Sequence, residues 1–170
     1  MTRLPDAESL IADLVARLRP HVTPETGMVG IVTGGAWLAE RLHAALGLKP
    51  ALGRIDISFY RDDFASSGLK ATVKPSQIPF EVEGREILLV DDVLYTGRTV
   101  RAGIDALFDY GRPSKVQLAV LADRGHRELP IRPDYVGKNL PTASDERVNV
   151  RVEELDGIDE VAIADAGVTA

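Results

Sequence analysis

The chain has 170 residues, of which 45% are hydrophobic and 27% are charged, and its formal net charge is −6 at pH 7. This composition is typical of one folded domain with a sizeable core and excludes a disordered chain. The absence of cysteine excludes disulfides, thiolate metal sites and a cysteine nucleophile. No apolar run approaches the roughly 18 residues of a membrane span, so we expect no membrane association and a cytoplasmic location. Because the chain is acidic, any contact with RNA must come from a local basic patch.

Apolar periodicity predicts helices and strands in alternation along the chain. Leu10, Leu14 and Leu18 recur every four residues, which predicts a first helix with Asp6 as its N-cap. The alternation of strand and helix that follows favours a parallel sheet with helices on both faces. The predicted helices cover residues 6–18, 36–46 and 99–110, and the predicted strands cover residues 28–32, 55–60, 86–90 and 115–121.

Two long polar segments interrupt this pattern. Residues 61–79 are too long for an ordinary connection, which is typical of a functional flap or a mobile loop. Residues 123–149 are rich in charge and proline and contain one short predicted strand at residues 135–136. We expect final strands at residues 148–152 and 160–163 and a loose end at residues 164–170.

The most informative segment is the strand–loop–helix of residues 87–99. Amides at the N-terminus of a helix, together with the helix dipole, bind anions. Gly97 permits a tight turn and a close approach of phosphate to the backbone. The hydroxyls of Thr96 and Thr99 can donate to phosphate oxygens. The sequence therefore predicts that residues 95–99 bind a phosphate monoester.

Asp91 and Asp92 end the preceding strand, and because carboxylates repel phosphate they need another partner. Each can accept hydrogen bonds from the cis-diol of a ribose. Their charge also favours positive charge that grows on the sugar as a leaving group departs. The pair therefore predicts a ribose 5-phosphate ligand. The alternative is an ordinary strand end and helix start, but the combination of apolar strand, paired acids and glycine-containing loop argues against it.

Residues 87–99 resemble the phosphoribosyl diphosphate motif of type I phosphoribosyltransferases. The chain also resembles the bifunctional pyrimidine operon regulators that are uracil phosphoribosyltransferases, over roughly residues 30–163. The resemblance implies a single domain, residues 1–170, with a mainly parallel twisted sheet flanked by helices, a mobile flap at about 61–79 and a small hood at about 123–149. The segments that carry the resemblance, in chain order, are residues 55–63, 90–103, 111–113, 120–132 and 137–139.

The same resemblance implies the reaction and its partners. The substrates would be uracil and phosphoribosyl diphosphate, and the products would be uridine monophosphate and diphosphate. Mg²⁺ would be the metal, held mainly by the substrate rather than by protein side chains. A homodimer or a homotetramer is the implied assembly.

Besides the two aspartates, Arg61 is the candidate catalytic residue, because a flap base such as Arg61 or Lys74 could stabilise the departing diphosphate. A solvated surface loop is the alternative for both. Thr33 and Gly34 would bind the diphosphate, although Gly34 stands where the family often has arginine, and a plain strand-to-helix turn is the alternative. The full set predicted to bind phosphoribosyl diphosphate is Thr33, Gly34, Asp91, Asp92, Val93, Leu94, Tyr95, Thr96, Gly97, Arg98 and Thr99.

The resemblance links Arg124 and Val148 to uracil or a uridine nucleotide. It also raises a second function, that of an RNA-binding attenuation regulator which senses uridine nucleotides and has little catalysis. A purine phosphoribosyltransferase is a third hypothesis, and the run of residues 123–132 argues against it. The candidates for RNA contact, which a solvated surface with ion pairs would also explain, are His126, Arg127, Arg132 and Lys138.

Overall fold

The computed structural model describes residues 2–3, 6–32, 34–57, 76–140, 142, 146–151 and 160–165. Its helices are α1 (Ala7–Leu18), α2 (Gly34–Leu46) and α3 (Arg98–Phe108). Its strands are β1 (Thr2–Arg3), β2 (Gly27–Ile31), β3 (Gly53–Ile55), β4 (Glu86–Leu94), β5 (Lys115–Asp123), β6 (Tyr135–Asn139), β7 (Glu146–Arg151) and β8 (Glu160–Asp165).

The main sheet has five strands in the order β3-β2-β4-β5-β6, and all of its strand pairs are parallel. Alternate residues of a strand point to opposite faces, so the apolar runs supply two cores. In β4, Leu88 and Val90 join the core formed with α1 and α2, whereas Ile87 and Leu89 join the core formed with α3. Burial of both faces explains why these strands are continuously apolar. The predicted fold class, a parallel sheet between helices, is confirmed.

The first helix follows its leucine repeat. Leu14 and Leu18 are fully buried and Leu10 nearly so, which places one stripe of α1 against the sheet. The Asp6 carboxylate accepts a hydrogen bond from the Glu8 amide at 3.3 Å. Asp6 is therefore the N-cap that the sequence predicts, satisfying one of the amides that a helix start leaves without a partner.

β3 is shorter, and begins earlier in the chain, than the strand that the sequence predicts in this region. Residues 55–60 were expected from the alternation of isoleucines, but the strand is Gly53–Ile55, and residues 58–60 lie outside the described residues. β2 ends at Ile31, which pairs with Ile55, so β3 has no partner beyond that point. Ile57 is nevertheless buried in the α3-side core. The alternation of isoleucines in this segment therefore indicates buried side chains rather than pairing with a neighbouring strand.

The strands that lead to the predicted site are longer than expected. β4 was predicted to end at residue 90 and β5 at residue 121, but their parallel ladder continues to the pair Leu94 and Asp123. The two aspartates therefore lie inside β4 instead of after it. The helices shift slightly, with α2 beginning at Gly34 instead of residue 36 and α3 covering Arg98–Phe108 instead of residues 99–110.

A second, three-stranded antiparallel sheet has the order β1-β8-β7. The predicted hood at about 123–149 therefore needs revision. Its short strand is β6, which pairs with β5 in the main sheet, while the smaller sheet combines both ends of the chain. Long-range pairing of this kind leaves no local signal in the sequence. The loose end was predicted from residue 164, but β8 extends to Asp165, and residues 166–170 lie outside the described part.

The chain returns to the edge strand β3 just before the sheet resumes. Gln77 forms an antiparallel bridge with Arg54, and the Ser76 hydroxyl accepts from the Asp56 amide at 3.0 Å. These contacts join the two ends of residues 58–75, which contain most of the predicted flap and lie outside the described residues. Among the described helices, none combines the length and apolar character needed to cross a membrane.

Candidate active site

The strand order opens a crevice at the carboxyl ends of β2 and β4. β2 continues into α2, which packs on one face of the sheet, and β4 continues into α3, which packs on the other. Where connections from two neighbouring parallel strands leave in opposite directions, the loops separate, and ligands of open α/β sheets bind in the space between them. The residues predicted to bind diphosphate and 5-phosphate follow these two strands.

The phosphate loop, residues 95–97, joins β4 to α3. Gly97 is the N-cap of α3 and has a φ of 94°, a left-handed conformation that favours glycine. A Cβ atom at this position would lie 3.1 Å from the Ile131 side chain. The Arg98 amide donates to the Thr96 hydroxyl at 3.2 Å. Because the first amides of a helix have no partner within it, the loop and the start of α3 have an arrangement that can bind an anion.

Asp91 and Asp92 lie at the end of β4, beside the phosphate loop. Asp91 is buried, at 6% exposure, and Asp92 is half-buried. The Asp92 amide donates to Asp91 Oδ1 at 2.9 Å, and the Val93 amide donates to Asp92 Oδ1 at 2.8 Å. Burial, reinforced by the negative charge of Asp92, raises the pKa of the Asp91 carboxyl well above its usual range. Two adjacent carboxylates in this position can accept from the hydroxyls of a bound sugar.

The start of α2 approaches β4 so closely that only glycine fits. A Cβ atom at Gly34 would collide with the Asp92 carboxylate, and one at Gly35 would collide with the Val90 carbonyl oxygen. The space that an arginine would need at position 34 is thus occupied by Asp92. Gly34 therefore lets α2 lie against β4 without a shift of the Asp92 carboxylate. It also brings the amides at the start of α2 next to the paired aspartates.

A segment that we call the strap, residues 124–131, follows β5 and lies against the phosphate loop. Arg124 is buried, and its guanidinium carbon lies 4.0 Å from the centre of the Tyr95 ring. Arg124 Nε also approaches the Thr142 hydroxyl at 3.4 Å. Arg98 Nε forms an ion pair with Glu128 Oε1 at 2.9 Å. The strap therefore fixes residues on both sides of the loop.

The strap was missed as a support for the phosphate loop. The sequence predicted roles for Arg124 and Arg127, but gave none to Asp123, Glu128 or Ile131, which tie the strap to the loop. A partial signal was available, because β4 and β5 were both predicted as strands of one parallel sheet. The residues that follow parallel strands emerge at the same edge of the sheet, and once the two strands are neighbours these residues lie side by side.

The four candidates for RNA contact differ in their surroundings. His126 Nε2 lies 2.6 Å from the Thr142 carbonyl oxygen, and Arg127 donates to three oxygen atoms of the protein. Arg132 and Lys138 are exposed. Contact with RNA stays a prediction for all four.

Of the four remaining candidate residues, three lie outside the described chain and one lies in the smaller sheet. Thr33, Arg61 and the alternative Lys74 are outside the described residues. Val148 lies in β7, pairs with Ile163 of β8 and packs against the core on the α1 and α2 side. The structure therefore brings together Gly34, the paired aspartates, the phosphate loop and Arg124.

Comparison with known proteins identifies the class. A family model described as phosphoribosyl transferase domain matches residues 2–156. The chain therefore belongs to the phosphoribosyltransferase family, as the resemblance of its phosphate loop predicts.

Curated relatives narrow the family further. A protein of Ralstonia nicotianae is 54% identical over 152 residues, with 87% of each chain covered. One of Deinococcus deserti is 50% identical, with 95% of this chain and 96% of the relative covered. Both carry the name bifunctional protein PyrR, and this chain is a member of the PyrR family.

Solved structures support the fold alone. The hypoxanthine phosphoribosyltransferase of Trypanosoma cruzi aligns with a TM-score of 0.69 at 20% identity and covers 97% of each chain. The hypoxanthine phosphoribosyltransferase of Staphylococcus aureus aligns with a TM-score of 0.67 at 23% identity, covering 95% of this chain and 92% of the other. These likenesses confirm the type I phosphoribosyltransferase fold. At such identities they carry no information about the base.

The Gly97→Ala substitution tests the turn that begins α3. It forces a side chain into a left-handed conformation and against Ile131, so we expect the free energy of unfolding to fall by about 1–3 kcal/mol. The matched control is Gly84→Ala, where φ is also positive, at 73°, but no atom lies within 4 Å of the added Cβ. Urea denaturation should show the larger loss for Gly97→Ala. Equal losses would mean that the contact with Ile131 is unimportant.

Asp91→Asn tests the electrostatic strain at the end of β4. The pKa of Asp91 is raised in the folded state, so the unfolded chain releases this proton at a lower pH. Stability is therefore lost as pH rises from the ordinary Asp value, about 3.9, through the raised value. Because asparagine does not ionise, the variant should be more stable than the wild type at pH 7, and the difference should shrink towards pH 4.

Urea midpoints measured between pH 4 and pH 8 check this expectation. Asp105→Asn removes an exposed carboxylate that pairs with Arg101 on α3, and it controls for the loss of one negative charge. Parallel curves for Asp91→Asn and the wild type would show that burial does not hold the Asp91 proton.

Proposed function

We propose that the protein is a uracil phosphoribosyltransferase of the cytoplasm. A nitrogen of uracil attacks the anomeric carbon of phosphoribosyl diphosphate, the bond to diphosphate breaks, and uridine monophosphate is released. The observation that carries this proposal is the meeting of three elements at one crevice: the phosphate loop, the paired aspartates, and the glycine turn at the start of α2. By family resemblance the protein works as a homodimer or a homotetramer.

The order of the site residues along the chain suits the proposed sugar. In this proposal residues 95–99 hold the 5-phosphate, and Asp91 and Asp92 accept from the ribose hydroxyls. The distance between a 5-phosphate and the vicinal diol of a ribose is short, and the two groups of residues are consecutive in the chain. As the diphosphate departs, positive charge grows on the sugar ring, and two carboxylates nearby stabilise it.

The diphosphate would lie against the turn at Thr33 and Gly34. Amides at the start of α2 favour an anion there. Because Gly34 supplies no cation, the charge of the leaving group must be balanced elsewhere, and Arg61 of the flap is our candidate. Closure of a flap over the crevice would also keep water from hydrolysing the activated sugar.

Mg²⁺ is the proposed cofactor. Among the described residues, no three His, Cys, Asp or Glu side chains come together as metal ligands. Such an ion would keep several waters and take most of its other ligands from the substrate. When bound, the ion neutralises charge on the diphosphate and makes it a better leaving group.

Uracil would be recognised near Arg124 and the backbone of Val148. Arg124 already lies beside the phosphate loop, stacked on Tyr95, which suits a base attached to the same ribose. Uracil offers two carbonyls and ring N–H groups, so a few backbone amides and one side chain suffice to orient it. No side-chain nucleophile is required, because the base itself attacks the sugar.

The reaction assay is the first test of this proposal. The purified protein with uracil, phosphoribosyl diphosphate and Mg²⁺ should produce uridine monophosphate, and hypoxanthine in place of uracil should not react. The double variant Asp91→Asn, Asp92→Asn should lose about 10²–10³-fold in kcat, since it removes the charges that stabilise the developing cation. Asp105→Asn, on the exposed face of α3, is the control. Turnover of the double variant within a factor of three of the wild type would refute the assigned role.

Regulation through RNA is a second candidate function. Arg132 follows the strap and Lys138 lies in β6, and both are exposed and offer cations to RNA phosphates. A filter-binding titration should show that the leader RNA of its pyrimidine genes binds more tightly with uridine monophosphate. Arg132→Gln should weaken this binding and leave transferase kinetics unchanged. An affinity that is indifferent to both uridine monophosphate and Arg132→Gln would remove RNA regulation from the proposal.

A further inference from the structure

Three consecutive carbonyl groups of the phosphate-loop region accept hydrogen bonds from the strap. The Leu94 oxygen accepts from the Arg124 amide at 3.0 Å, and the Thr96 oxygen accepts from the Glu128 and Leu129 amides at 2.9 and 3.1 Å. The Tyr95 oxygen, between them, accepts from a side chain, Arg127 Nη1, at 2.8 Å. All three carbonyls therefore point towards the strap.

Because the peptide bond is planar, the directions of these three carbonyls also fix the directions of the amides that follow them. In a trans peptide the C=O of one residue and the N–H of the next point in opposite directions. The amides of Tyr95, Thr96 and Gly97 therefore point away from the strap. Since β4 lies between β5 and β2 in the sheet, the side away from the strap is the side of Gly34 and the crevice.

Arg127 is held firmly enough to fix such an orientation. Its guanidinium also donates to the Ile131 oxygen at 2.7 Å and pairs with Asp123 Oδ2 at 2.6 Å. Both charged side chains are mostly buried, at 23% and 12% exposure. The planar guanidinium of Arg127 thus joins the end of β5, the far end of the strap and the phosphate loop.

We infer that Arg127 is a positioning residue of the phosphate loop, which it holds through the Tyr95 carbonyl so that the Thr96 amide faces a bound 5-phosphate. The inference rests on the proposed function, since it assigns the ligand of that amide. It gives Arg127 a different role from Arg132, because the guanidinium of Arg127 is hydrogen-bonded within the protein. Release of the Tyr95–Thr96 peptide lets it rotate and present a carbonyl oxygen, which repels phosphate.

Binding of two fragments tests the inference. Ribose 5-phosphate probes the phosphate loop, and inorganic pyrophosphate probes the turn at Gly34. We expect Arg127→Met to weaken ribose 5-phosphate at least tenfold, about 1.4 kcal/mol, and to leave pyrophosphate within twofold of the wild type in titration calorimetry. In the transferase assay, KM for phosphoribosyl diphosphate should rise while KM for uracil stays unchanged.

Two further variants separate geometry from charge and from stability. Arg127→Lys keeps the charge but cannot reach three acceptors, so it should also weaken ribose 5-phosphate. Arg85→Met is the matched control, because Arg85 donates to the Glu25 and Glu81 carbonyls, both at 2.7 Å, beside the opposite end of β4. It should lower the melting temperature without changing either affinity.

The outcomes distinguish this inference from its alternatives. Equal weakening of both fragments, or full rescue by Arg127→Lys, would mean that Arg127 acts only as a positive charge. Unchanged binding of both fragments with weakened RNA binding would make Arg127 an RNA contact and overturn the inference. If Arg127→Met does not fold, Arg127→Lys carries the same comparison. A wild type that binds neither fragment would defeat the proposed function itself.

Discussion

The parallel pairing of β4 with β5 up to Leu94 and Asp123 is the constraint on which the site depends. It carries the strands past the edge of the core, so that the loops that follow both strands emerge side by side. The strap can then meet the phosphate loop, and the guanidinium of Arg127 can reach both the end of β5 and the phosphate loop. A ladder that stopped at the predicted strand ends would leave these loops apart and the aspartates in a flexible turn.

The same edge of the sheet combines opposing electrostatic demands. Anions are favoured at the starts of α2 and α3, yet two carboxylates stand between these helices, and burial raises the pKa of one of them. Folding opposes the ionised form of Asp91, whereas the proposed chemistry needs negative charge beside the sugar. Such conflict between stability and local charge is characteristic of functional sites. The position of Asp92 also accounts for Gly34, because the Asp92 carboxylate fills the space that a larger side chain at position 34 would enter.

Local signals in the sequence predicted most of the helices and strands, and the tight turn at Gly97. The leucine repeat of α1, the apolar strands and Gly97 each carry a physical requirement that a single segment displays. The sequence could not predict the end of β3 at Ile55 or the pairing of β1 with β8, because strand ends and partners depend on residues distant in the chain. For the same reason it missed the role of Glu128, whose partners Arg98 and Thr96 are distant in the chain, and it also missed the pairing of Asp123 with Arg127.

The contacts of Arg54 with Gln77 and of Asp56 with Ser76 have a consequence for evolution. They join the chain on both sides of residues 58–75, so the sheet is indifferent to how many residues lie between. Loop-closure entropy grows slowly, at roughly 0.6 kcal/mol for each doubling of length. Insertions and deletions between these two contacts are therefore inexpensive, and the connection can change in length among descendants of one scaffold without loss of the sheet.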